Sequence, residues 1–436
     1  MSELPVVVIG AGPVGLAAAA ELVERGFTPL VLERGAQAGA GVAEWGHVRL
    51  FSSWSELVAP AAGRLLETTG WTRPDGNAYP TGEDWAGLYL RPLAKTLAHR
   101  VRLGAEVIGV ARRGRDRVVD SGRDDEPFTV HVRATDGTEE RIAARAVIDA
   151  SGTWSTPNPL GGEGLPATGE RAAADRIAYR VPNPGEARYA GKHVVVAGSG
   201  HSALTALVAL SGLANTRISW VLRRGSVGDT FGGGDADQLP ARGALGLRAQ
   251  AAVDSGLITV VTGFRTEAVE RDDNGLLTLI SSAGQRLDQV DEVVTLSGFR
   301  PDLTWLSEIR LELDPTLQAP VALAPLIDPN VHSCGTVYPH GAKELAHPEK
   351  DFYLAGMKSY GRAPTFLAMT GYEQVRSIAA ELAGDHDSAA RVELRMAETG
   401  VCGGAGIFDE PDDTPAAGGC CAVPPPTTTT HAVSLT

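Results

Sequence analysis

Val6-Val7-Val8-Ile9-Gly10-Ala11-Gly12-Pro13-Val14-Gly15 is the stretch on which the fold turns. Four consecutive β-branched residues describe a strand buried on both faces, as in the middle of a parallel sheet. Leu16 to Arg25 continues as an alanine-rich helix that Gly26 stops. In a strand, turn and helix of this kind, Gly10 permits the tight turn and Gly12 lets a pyrophosphate approach the backbone, while Gly15 lets helix pack on strand. The opening turn of the helix, Pro13 and Val14 included, presents its free end to the anion, and no lysine is needed.

Working outward, Pro29-Leu30-Val31-Leu32 is the next strand. Glu33, which ends it, stands where a carboxylate accepts hydrogen bonds from a ribose, and Arg34 follows where it can lie over an adenine. The same logic recurs near the middle of the chain. His193 to Ala197 is a strand, Gly198-Ser199-Gly200-His201-Ser202-Ala203 is a second dinucleotide turn closed by alanine, and Leu204 to Leu210 is its helix. The strand after it, Ile218 to Leu222, ends in Arg223-Arg224. An acid there would repel a 2′-phosphate, whereas a guanidinium grips it with two parallel bonds, so the second turn is expected to take NADPH in preference to NADH. His201, at a helix start, is assigned no catalytic role.

Composition bounds the rest. A chain of 436 residues with 43% hydrophobic residues has material for two or three domains. The net charge of −14 argues against a nucleic-acid partner, which would need clustered Lys and Arg. No basic n-region precedes the first strand and no apolar run nears membrane-spanning length, so a soluble, cytoplasmic protein is expected. Four cysteines make no disulfide framework. His340 and His347 fit no zinc spacing and are expected at the surface. Oligomeric state is not legible.

Between the two turns lie an aromatic stretch around Trp45, a helix over Leu88 to His99, a strand over Glu106 to Val110, a hairpin region to about Arg145, and then Asp149-Ala150-Ser151-Gly152. Together with Leu296-Ser297-Gly298-Phe299-Arg300-Pro301-Asp302, this order resembles the two-dinucleotide flavoproteins, the flavin-containing monooxygenases and pyridine-nucleotide disulfide oxidoreductases, over roughly residues 4 to 385. The resemblance implies an α/β protein with two Rossmann-like domains, the FAD domain being split by an inserted NADPH domain. The expected division is 1–156 and 311–385 for FAD, 157–190 as connector, 191–310 for NADPH and 386–436 as a flexible tail. It also implies that Gly10, Gly12 and Gly15 hold the FAD pyrophosphate and Glu33 its ribose. Val107 would lie beside the adenine, Trp45 toward the far end of the cofactor, Ser151 and Gly152 at the crossover, and Gly356 at the last FAD strand. Where the family often carries an aspartate for the ribitol, this chain has Met357-Lys358.

Thiol–disulfide exchange needs two sulfurs within reach, and there is no Cys-x-x-Cys; Cys334 stands alone. A monooxygenase using molecular oxygen and a small-molecule substrate is therefore the favoured expectation. The Phe-x-Gly-x-x-x-His fingerprint usual in that branch is missing from Pro157 to Lys192, which makes the chain a divergent member. Cys402, Cys420 and Cys421 fall in a Gly-, Pro- and Thr-rich tail, where three thiolates can converge on one soft centre. With Trp45 to Ser52 and Thr370 to Ser377, that tail resembles the flavin-binding monooxygenase-like proteins of bacterial arsenic-resistance gene clusters, which implies a trivalent arsenical as substrate. Two alternatives stand beside it: a reductase passing electrons to a partner or to the tail thiols, and a non-catalytic metalloid or redox sensor.

Overall fold

The computed structural model describes residues 4–237, 239–331, 340–364 and 366–394. The expected α/β architecture is present, and one plan is used twice.

In the first unit, β1 (Val6–Ile9) is flanked by β2 (Pro29–Leu32), with β3 (Val101–Arg102) at one edge. Next come the meander strands β4 (Ala105–Arg112), β5 (Phe128–Ala134) and β6 (Glu139–Ala144), then β7 (Ala146–Asp149) on the other side of β1. Side chains alternate across β1. Val6 and Val8 join the core formed with the helices α1 (Pro13–Glu24), α2 (Pro60–Glu67) and α3 (Arg91–Leu97), whereas Val7 and Ile9 face the meander. This two-sided burial is why the strand is apolar throughout. Ala17 to Ala20 are almost wholly buried, because small side chains let α1 lie close to the sheet. The helix ends as its sequence predicts: Gly26 takes φ +80°, its N–H bonds Val23 O at 3.0 Å, and Phe27 N–H reaches back to Leu22 O at 2.9 Å.

The second unit repeats the arrangement. Its parallel sheet contains β8 (Ile177–Ala178), β9 (His193–Ala197), β10 (Arg217–Val221) and β11 (Ile258–Val261). After the meander β12 (Thr266–Arg271), β13 (Leu277–Ser281) and β14 (Arg286–Val290), β15 (Glu292–Thr295) returns beside β9. Val194 and Val196 pack toward helices α4 (His201–Ser211) and α5 (Pro240–Asp254), and Val195 and Ala197 toward the meander side. β16 (Phe352–Leu354) then pairs with β7, so the first sheet closes only after the second unit is complete, and α6 (Ala368–Leu382) packs on α1.

Two features join the interrupted halves. Glu349, buried just before β16, receives Arg112 Nε at 2.7 Å, Arg123 Nη2 at 2.7 Å and the Arg310 N–H at 3.1 Å. Burial opposes its charge, yet the bonds from Arg123 and Arg112 hold its carboxyl below the usual range. The two chain crossings also pair with each other: Asn158 N–H bonds Gly298 O and Arg300 N–H bonds Thr156 O, each at 2.9 Å. His340 departs from its expected surface position. It is 4% exposed and bonds Gln374 Nε2 at 2.9 Å, because Gln374 also fixes the Gly356 N–H beside it.

Candidate functional site

The two glycine turns lie at the carboxyl ends of their sheets, where α/β folds hold ligands. At the first, Gly10 has φ +97°, and a Cβ on it would come 2.9 Å from Ala150 O. A Cβ on Gly15 would lie 1.9 Å from Gly10 O, so helix and strand touch there. Gly12 is different: a Cβ on it would meet nothing within 4 Å. Its backbone is extended (φ −81°, ψ −174°), so neither packing nor conformation requires glycine, and the space before it is open to a ligand that approaches the backbone. The turn thus fits a pyrophosphate on an observation independent of the motif.

Around this cradle Glu33 is pinned by Ala11 N–H to Oε2 (2.8 Å) and Gly35 N–H to Oε1 (2.7 Å). Each oxygen keeps a lone pair for a ribose hydroxyl. Arg34 is exposed. Val107 is half-buried on β4, which is tied to the end of β2 by Ala105 N–H to Glu33 O at 2.8 Å. Pro13 opens α1, and Val14 packs where a Cβ on Gly356 would be 3.2 Å from its Cγ2 and one on Gly371 2.5 Å. The starts of α1 and α6 and the end of β16 therefore meet at one edge. Trp45 packs on Trp85, with ring centroids 6.4 Å apart.

Ser151 is exposed and Gly152 (φ +70°) opens to free space, so both border the same edge. Beneath Ser151 is a group that sequence reasoning missed. Lys358, 1% exposed, pairs with Asp149 Oδ2 at 2.6 Å, donates to Ser151 Oγ at 3.1 Å and lies over the Trp305 ring. Met357 stands half-buried at the position where the resemblance led one to expect an acid, and the charge beside it belongs to a lysine turned into the core. The only sequence signal was the departure at Met357-Lys358 itself.

At the second turn Gly198 has φ +132°, and a Cβ would meet Leu296 O at 2.5 Å. Gly200, extended like Gly12, again faces open space. Ala203 is fully buried in place of the third glycine, Ser199 is half-buried and Ser202 exposed. Arg223 is exposed at the end of β10 and, among the described residues, makes a 3.4 Å contact to Gly162 O. Arg224 is engaged elsewhere, donating to Thr230 Oγ1 at 2.6 Å. His201 opens α4, and its ring meets that of Phe51 from the first unit at 5.4 Å. The crossover carries a further cluster: Trp154 stacks on Phe299 at 4.9 Å, donates to Glu44 Oε2 at 2.8 Å and lies under the Arg180 guanidinium. Cys334, Cys402, Cys420 and Cys421 lie outside the described residues.

A family model described as pyridine nucleotide-disulphide oxidoreductase matches residues 7–322. The chain belongs to that family. FAD and a nicotinamide dinucleotide are accordingly the cofactors of this oxidoreductase. Its fold is similar to that of several solved flavoproteins. The bacillithiol disulfide reductase of Bacillus cereus is 21% identical, matching 88% of this chain and 99% of that one with a TM-score of 0.66. A flavin-containing monooxygenase from Stenotrophomonas maltophilia is 23% identical, over 90% and 100%, at 0.53. The FAD-bound cadaverine monooxygenase of Erwinia amylovora is 15% identical, over 91% and 98%, at 0.60. No curated protein registers as a sequence match. Among the described residues, no helix of the oxidoreductase is long and apolar enough to cross a membrane, and no group of three or more His, Cys, Asp or Glu side chains could hold a metal ion.

Proposed function

We propose that this oxidoreductase is an FAD-dependent, NADPH-oxidising monooxygenase of the cytoplasm that acts on a small soft nucleophile, a trivalent arsenical. The observation that carries the proposal is where the sulfur lies. Residues 1–333 contain no cysteine, so neither dinucleotide unit supplies a thiol pair to take electrons from a flavin. Molecular oxygen is then the acceptor. Bound FAD supplies the hydride and oxygen chemistry. The chain's own share is to hold the FAD pyrophosphate at Gly10, Gly12 and Gly15, orient the ribose through Glu33 and border the remainder with Trp45, Ser151, Gly152 and Gly356. NADPH is held at Gly198 to Ala203, and Arg223 is placed to take its 2′-phosphate.

The reaction balances as NADPH, a proton, oxygen and As(III) giving NADP⁺, water and As(V): one oxygen atom bonds to arsenic and the other leaves as water. Cys402, Cys420 and Cys421 supply the soft donors that a trivalent arsenical prefers. Oxygen uptake by FAD-loaded enzyme with NADPH, with and without methylarsenite or arsenite and followed by arsenic speciation, is the test. Substrate-dependent uptake with As(V) product is expected; NADPH oxidation that needs a disulfide or partner protein in place of oxygen would sink the proposal.

The reductase alternative keeps support from the family description and from the likeness to the bacillithiol disulfide reductase. Replacing Cys402, Cys420 and Cys421 by serine separates the two. Oxygenation of a substrate without thiol affinity survives in a monooxygenase, whereas electron flow through the tail stops in a reductase.

A further inference from the structure

Phe51 belongs to the first unit, in the segment just before Trp54, yet its ring stands 5.4 Å from that of His201 at a tilt of 54°. His201 is the first residue of α4 and follows Gly200, where the backbone faces open space. A dinucleotide with its pyrophosphate at that turn extends in two directions. Its adenosine half follows β10 toward Arg223. Its nicotinamide half must leave the second unit toward the first, because hydride transfer requires the two rings to approach within about 3.5 Å. Among the described residues, Phe51 is one from the first unit whose ring meets that of a turn residue, His201.

The chemistry of the pair suits the same ligand. Burial pushes the His201 imidazole down to about 4, with the Arg242 charge adding to the effect and Asp237 opposing it. Near neutral pH the ring is therefore uncharged. Phe51 and His201 together form a neutral, aromatic corner of two tilted rings, and a nicotinamide ring is flat and cationic when oxidised, a match for the face of the Phe51 ring.

We infer that Phe51 is a positioning residue for the nicotinamide half of the pyridine nucleotide, contributed across the boundary between the units to the turn opened by Gly198. The inference rests on that turn being the pyridine-nucleotide site. It requires Phe51 to matter for the nicotinamide and not for the rest of the ligand, whereas a residue that only packs the units together would affect both or neither.

The experiment is calorimetric titration of FAD-loaded wild type, Phe51→Ala and Phe51→Tyr with NADP⁺ and with 2′-phospho-ADP-ribose, which lacks only the nicotinamide. Phe51→Ala is expected to weaken NADP⁺ about tenfold and to leave 2′-phospho-ADP-ribose within twofold, with Phe51→Tyr restoring NADP⁺. If Phe51→Ala does not retain FAD, Phe51→Leu, which keeps apolar volume without a π-face, takes its place. Equal loss for both ligands, or loss for neither, overturns the inference. A wild type that binds neither ligand overturns it together with the assignment of the turn, and that result cannot be mistaken for equal loss in a variant.

Discussion

Gly12→Ala and Gly200→Ala isolate ligand binding from folding. Both glycines sit in extended backbone, φ −81° and −85°, that alanine adopts without strain. In both cases the added Cβ meets no protein atom within 4 Å. Replacing such a glycine removes freedom from the unfolded chain, so each apoprotein should be unchanged or stabilised by about 0.4–1 kcal/mol. The ligand experiences the opposite. A methyl group between the backbone and a pyrophosphate forces the anion away from the turn, and losing two charge-assisted N–H bonds at roughly 1.5–3 kcal/mol each costs roughly 3–6 kcal/mol. That corresponds to about two to four decades in Kd. The assay is a thermal melt of each apoprotein beside FAD binding followed by flavin fluorescence quenching. Gly12→Ala should lose FAD with an unchanged apoprotein melt, and Gly200→Ala should keep FAD and lose the nicotinamide nucleotide. Gly15→Ala is the converse control, since its Cβ would fall 1.9 Å from Gly10 O and the fold itself must yield. A Gly12→Ala apoprotein that melts normally and binds FAD within threefold of wild type would refute the placement of the pyrophosphate.

Arg223→Ala should weaken NADPH by roughly 1.5–3 kcal/mol while leaving NADH unchanged, read as paired dissociation constants; Arg224→Ala, whose side chain is held by Thr230, should alter the ratio far less. Glu349→Gln leaves the Arg112 and Arg123 guanidiniums, 2% and 3% exposed, without their counter-charge, and urea unfolding should show a loss of roughly 3–5 kcal/mol. Stability should also fall on mild acidification. Burial holds the folded pKa of His201 and of His347 at about 4, below the ordinary 6.5, so the unfolded chain takes up protons first as pH drops. The stabilisation is complete above pH 6.5 and is lost progressively toward pH 4, by roughly 1–2 kcal/mol per histidine after discounting for partial exposure. Urea titrations at pH 7 and pH 5 measure it, and His347→Phe should remove its share of the difference.

The β-branched run before Gly10, the alanine helix and its Gly26 stop were all legible, because each depends on neighbours a few residues away. So were the hairpin region and the order of the two units. What stayed hidden depends on distant partners. Arg223 and Arg224 are equivalent in sequence, and only the fold brings the Thr230 hydroxyl to one of them. Lys358 and Ser151 are 207 positions apart, and their contact exists because β16 returns beside β7 after the whole second unit. His340 looked like a surface residue for the same reason: the side chain that buries its polarity, Gln374, is on α6.

The separate placement of two turns imposes a geometric demand that the crossover region meets. A nicotinamide and a flavin held on different sheets react only if the units keep a set orientation. Here the two crossing strands are bonded to each other through Asn158, Gly298, Thr156 and Arg300, and the Trp154 and Phe299 rings stack across them. Glu44 and Arg180 extend that stack to the first unit, but their side chains are 51% and 38% exposed, and an ion pair open to solvent is worth little. The orientation therefore rests on paired backbone and aromatic contact more than on charge. It follows that salt should barely affect how the units sit, while loss of the Trp154 ring should free them.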